Sequence, residues 1–106
     1  MAQTRLERLS ELARKNPGDP FASYGLAMEY GRQEQNQEAI NTFDGLMQER
    51  PDYLPTYFQY GTLLQQMGES SQAEAVFTQG IATAQEQGDQ HTRDELSQAL
   101  EQLREE

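Results

Sequence analysis

The stretch Ala39-Ile40-Asn41-Thr42-Phe43 returns as Ala73-Glu74-Ala75-Val76-Phe77, restating an Ala-x-x-x-Phe frame 34 residues later. Residues four apart share one face of a helix, so each copy marks a helix carrying a small contact followed by a large one. The same interval aligns Asn36 with Ser70, both expected helix N-caps. It also aligns Ala27 with Gly61, both small enough for helices to approach closely. A helix pair repeated at this period is the organising unit.

Outward from that frame, the flanking residues divide the chain into six helices. Thr4-Arg5-Leu6-Glu7 has the form of a capping box and opens a helix with Leu6, Leu9, Leu12 and Ala13 on one face. Asn16-Pro17-Gly18 ends it. Asp19 caps a second helix with Pro20 at its first position and Leu26, Ala27 and Tyr30 as its apolar stripe. A third helix, capped by Asn36, buries Ala39, Ile40, Phe43, Leu46 and Met47 and ends at Arg50-Pro51-Asp52. The fourth opens near Leu54-Pro55, carries Tyr57, Tyr60, Gly61 and Leu64, and closes at Met67-Gly68. Ser70 caps the fifth, whose face reads Ala73, Val76, Phe77, Gly80, Ile81 and Ala84 before Gly88. Thr92-Arg93-Asp94-Glu95 repeats the capping-box form ahead of Leu96, Ala99, Leu100 and Leu103, with Asp89 as an earlier starting point. No strand-like alternation appears, so the class predicted is all-α.

Composition narrows the function. The 106 residues give room for one domain, and the apolar fraction of 35% suits an elongated stack of amphipathic helices. Net charge is −10 and pI about 4.4, with Glu69, Glu74 and Glu86 but no Lys or Arg in residues 54–87, so a phosphate backbone would be repelled. Nucleic acid is therefore not an expected partner. No apolar run approaches the roughly 20 residues of a membrane span, and Met1–Ser10 lacks a signal peptide's apolar stretch, which predicts a cytoplasmic protein with no membrane partner. The absence of cysteine removes disulfides, thiolate nucleophiles and thiolate metal sites.

Catalysis needs convergent groups, and few are offered. His91 is the only histidine and reads as a solvated turn residue. Asp94 and Glu95 point in different directions on a helix and lack acid/base spacing. Gly18, Gly25 and Gly31 stand alone without a preceding strand, so no phosphate loop is present. The expectation is a protein that is not an enzyme, with no cofactor and no metal.

The period, with Leu26-Ala27-x-x-Tyr30, Ala39-x-x-x-Phe43 and Pro51, resembles the tetratricopeptide repeat (TPR). The resemblance implies a right-handed TPR-like α-solenoid of six antiparallel helices. It divides the chain into an N-terminal half repeat (1–19), two full repeats (20–53 and 54–87) and a capping helix (88–106). Pro17 lies one period before Pro51, which places the first helix as the second half of a repeat. The family's tryptophan is replaced by Ser23 and Tyr57, its first-helix tyrosine by Leu64 in the second repeat, and its closing proline by Gln85, which lengthens the fifth helix toward Gln87.

In the family, the first helix of each repeat lines a concave groove for a partner peptide or helix. Carried over by register, the lining is Phe21, Tyr24, Met28 and Arg32, then Pro55, Phe58, Thr62, Gln65 and Gln66. A carboxylate clamp wants lysine and asparagine where Tyr24 and Met28 stand, so an acidic C-terminal peptide is not the ligand implied. The reading is a non-catalytic protein-interaction module, taking a segment that combines apolar residues with Lys or Arg, because Glu29, Glu34 and the base-free second repeat are expected to surround the lining with negative charge. The alternative is a self-assembling structural subunit, a homodimer through the groove or the capping helix. A purely structural account has Phe21, Tyr24 and Phe58 packing as core; against it, Leu26, Tyr30, Tyr57, Tyr60 and Leu64 already supply a buried stripe.

Overall fold

The computed structural model describes residues 2–106, and within them the chain forms six α-helices and no strand. They are α1 (Arg5–Lys15), α2 (Pro20–Arg32), α3 (Asn36–Glu49), α4 (Pro55–Gln66), α5 (Ser70–Gln87) and α6 (Gln90–Arg104). They group into two compact units, residues 1–50 and 51–106.

In the first unit α2 packs against both α1 and α3. The expected capping box opens α1: the Glu7 amide donates to Thr4 Oγ1 and the Thr4 amide to Glu7 Oε1, each at 3.1 Å. Asp19 caps α2 by accepting from the Phe21 amide at 3.0 Å, with Pro20 in the first turn. Ala27, Ala39, Phe43 and Leu46 are buried, whereas Leu26, Tyr30, Ile40 and Met47 are only half-buried. The edge of the Tyr24 ring meets Phe43, with centroids 6.3 Å apart and planes at 63°. Arg50 ties the end of α3 to the turn between α1 and α2 by donating to the Gly18 carbonyl at 3.1 Å.

In the second unit α4, α5 and α6 all touch one another. Tyr57, Tyr60, Gly61 and Leu64 of α4 are buried, as are Ala73, Val76, Phe77, Gly80 and Ala84 of α5, while Ile81 is half-buried. A Cβ at Gly61 would lie 2.7 Å from Cδ1 of the Phe77 ring, so the missing side chain is what admits the ring. Gly88 ends α5 in the left-handed region at φ 73°, where glycine avoids the Cβ clash. Leu96, Leu100 and Leu103 of α6 are buried and complete this core.

Four expectations need correction. Asn36 and Ser70 are not caps: they begin α3 and α5, whose N-cap positions are Gln35 and Glu69, neither with a side-chain cap bond. The capping box at Thr92 does not form, because Asp89 starts α6 and accepts from both the amide and the hydroxyl of Thr92, at 3.0 and 2.8 Å. The apolar face of α1 is not covered throughout; α1 has no buried residue and Leu12 is 50% exposed. His91 is not in a turn but in the first turn of α6, with a largely exposed side chain 3.7 Å from Glu95.

Candidate functional site

The residues expected to line a groove come from α2 and α4, and each set occupies a strip on its own helix. On α2, Phe21, Tyr24, Met28 and Arg32 follow one another at three- and four-residue steps. Phe21 is 72% exposed, whereas Tyr24 and Met28 are half-buried, and the Tyr24 ring is engaged with Phe43. Phe21 is therefore the prominent aromatic of this strip and Tyr24 is shared with the core.

Arg32 is held by an internal partner. Its Nε and Nη2 donate to Glu29 Oε1 at 3.0 and 2.8 Å, and Arg5 of α1 donates to the same oxygen at 3.0 Å. Gln33 donates to Glu29 Oε2 at 3.0 Å. The hydrogen bonds from Arg32, then from Gln33, hold the Glu29 carboxyl below its ordinary range against the opposing effect of burial. Glu29 was expected to add to the negative surface around the anchors, but it is 7% exposed and paired with Arg5 and Arg32. The available signal was the repeat itself, since Leu63 stands one period later at a half-buried position.

On α4, Pro55 sits exposed in the first turn, Phe58 is 38% exposed, Thr62 and Gln65 are half-buried, and Gln66 is exposed. The Gln65 amide donates to the Glu106 carboxylate. Thr56, on the same helix, is fully buried, and among the described residues its hydroxyl has no hydrogen-bond partner. Among the described residues the large exposed apolar side chains are Leu12, Phe21, Phe58 and Met67.

Among the described residues no group of three or more His, Cys, Asp or Glu side chains is arranged to hold a metal ion. Among the described residues no helix is long and apolar enough to cross a membrane.

Comparison with known proteins follows the helical architecture. The solution structure of a tetratricopeptide repeat domain protein from Salinibacter ruber is 33% identical, with a TM-score of 0.78 over 82% of this chain and 88% of that one. The TPR2B domain of yeast Sti1, solved as a complex with pHsp70, reaches a TM-score of 0.86 at 15% identity, over 94% of this chain and 80% of its own. PcrH, in complex with the chaperone binding region of PopD, gives 0.84 at 16% identity, over 92% and 74%. No sequence match emerged among curated proteins. These likenesses give the fold class, an all-α helical solenoid of the tetratricopeptide type. The tetratricopeptide repeat family model matches residues 32–92, more than half of the chain, and together with the Salinibacter relative this shows that the chain belongs to the tetratricopeptide repeat family.

Proposed function

We infer that the chain is a non-catalytic protein-interaction module whose partner lies along the exposed strips of α2 and α4. The observation that carries this reading is the exposure of Phe21 and Phe58 on helices whose other large apolar side chains are wholly or partly covered. Exposed aromatics desolvate a large area on binding with little loss of rotamer freedom, which makes them effective anchors. The structural neighbours add support, since the Sti1 domain was solved as a complex with pHsp70 and PcrH in complex with the chaperone binding region of PopD.

Around these anchors the charge is acidic. Glu34 lies just beyond α2, and residues 54–87 carry no base and three glutamates, one of which, Glu74, is paired with Arg104 of α6 at 2.8 Å. Glu29, by contrast, is buried and neutralised by Arg5 and Arg32, so it adds little to the field. The partner segment is accordingly one that joins an aromatic or aliphatic residue to Lys or Arg, and its binding weakens as salt is raised.

The test is a Phe21→Ser/Phe58→Ser double variant compared with wild type in a pull-down from native lysate. Phe21 is largely exposed and Phe58 just over one third, so the variant should lose the wild-type partners while still melting cooperatively, with any fall in melting temperature set by Phe58 and measured in Phe58→Ser alone. Retention of those partners would reject the strips as the binding surface. Tyr24 is a poorer choice for substitution, because its contact with Phe43 makes any loss of binding inseparable from loss of folding.

A further inference from the structure

We propose that α1 carries a second docking surface, separate from the strips of α2 and α4, which takes an acidic amphipathic helix of another polypeptide along Arg8, Leu12 and Lys15. Shifting α1 by one period places Leu9 on Phe43 and Leu12 on Leu46. Phe43 and Leu46 are 2% and 5% exposed because α2 covers that side of α3. Among the described residues no helix does the same for α1. Within the described residues of the first unit α2 packs against it and covers Leu9 from the side: a Cβ on Gly25 would lie 3.3 Å from a Leu9 methyl. Leu12 remains 50% exposed.

The open strip has a definite chemistry. Arg8 and Lys15 lie four residues before and three after Leu12, so they flank it on the same helix face. Gln3, Arg8, Glu11, Leu12 and Lys15 line a shallow depression of about 260 Å³. Glu11 is engaged with Lys15 at 3.0 Å and with Gln3 at 2.9 Å, while among the described residues no carboxylate pairs with the Arg8 guanidinium. Of the six helices α1 alone has more basic than acidic residues, with Arg5, Arg8, Arg14 and Lys15 against Glu7 and Glu11. A strip of this kind favours a helix with leucine-like residues for Leu12 and carboxylates for Arg8 and Lys15.

A second copy of this chain does not meet that description. The acid-rich helices α3, α5 and α6 have their large apolar side chains buried or half-buried, and among the described residues none is an exposed large hydrophobic. Two copies of α1 face to face would oppose like charges. The charge of the strip points instead to a helix from a different protein, acidic on the flanks of its apolar stripe.

The probe is a synthetic peptide of about 20 residues, long enough to hold helix, with leucines three and four apart flanked by glutamates and a fluorescent label. Anisotropy with the full chain should show saturable binding that weakens with salt. Leu12→Asp and Arg8→Glu/Lys15→Glu should each reduce affinity at least about tenfold, which is about 1.4 kcal/mol, with circular-dichroism melting unchanged. Phe21→Ser should bind as wild type. No binding, equal binding of a peptide with lysines in place of the glutamates, or indifference to both α1 variants would overturn the proposal. So would a concentration-dependent dimer of the chain alone that Leu12→Asp abolishes, because the face would then belong to a second copy.

Discussion

Glu29 stands where the other repeat has Leu63, and the difference shows how one residue can hold two helices by charge instead of by packing. Its carboxylate accepts from Arg5 of α1 and from Arg32 and Gln33 at the end of α2, at 2.8 to 3.0 Å. Removal of a partner from a buried, hydrogen-bonded charge leaves the others unsatisfied, so Glu29→Gln should lower the melting temperature at neutral pH. The folded carboxyl titrates below its unfolded value of about 4.3. The stabilisation is therefore full above about pH 4.3 and is lost as pH falls through the lower folded value. The gap in melting temperature between wild type and Glu29→Gln should narrow on acidification. A gap that stays constant from pH 7 to the acid limit of folding would show that the charge on Glu29 contributes nothing. Arg32 and Gln33 stand three and four residues on, a spacing legible in the sequence, but the bond from Arg5, 24 positions away on another helix, was not.

At the scale of the helix, glycine illustrates how packing reverses a local preference. Gly45 and Gly80 both lie inside helices, and alanine in either place gains about 1 kcal/mol of intrinsic propensity. Nothing lies within 4 Å of a Cβ built at Gly45, so Gly45→Ala should stabilise by about that amount. At Gly80 the new atom would sit 2.6 Å from Tyr57 Cβ and 2.8 Å from Leu96 Cδ1. Tyr57 Cβ is fixed to its backbone, so the helices must move apart, and Gly80→Ala should cost about 1–3 kcal/mol net. Urea titration of the two variants measures both signs, and a stabilising Gly80→Ala would mean that α4 and α6 can yield at this crossing. The helix ends divide in a similar way: Glu34 and Gly68, one period apart, both adopt positive φ, 59° and 78°. The glycine signals its turn in the sequence and the glutamate does not.

For the whole molecule, the last helix is the element on which the second unit depends. Leu96, Leu100 and Leu103 are 0%, 8% and 6% exposed, and burying each contributes about 1.5–3 kcal/mol. Removing residues 90–106 would bare the α5 face around Gly80 and Ala84, a loss comparable to the full stability of a small domain. The truncated chain should lose its cooperative melt or associate through that face, as circular dichroism and light scattering would show. A monomer with an undiminished melting temperature would contradict the assigned role of α6.

The period of 34 residues, the six helices and most of the buried positions were legible in the sequence, because each rests on spacing and local chemistry. Ala39 with Phe43 and Ala73 with Phe77 share faces by helical geometry alone. Thr4-x-x-Glu7 and Asp19-Pro20 start helices through bonds made within four residues. The candidate strips on α2 and α4 were legible only as positions. Which of their members are exposed depends on what covers each helix, so Phe21 stands out, Tyr24 turns to Phe43, and Arg32 is taken by Glu29. The same holds for α1, whose leucine pattern looks like a buried face until the neighbours are counted and Leu12 is found half exposed. Helical periodicity states which side chains lie together; only the tertiary contacts decide whether another element excludes water from them.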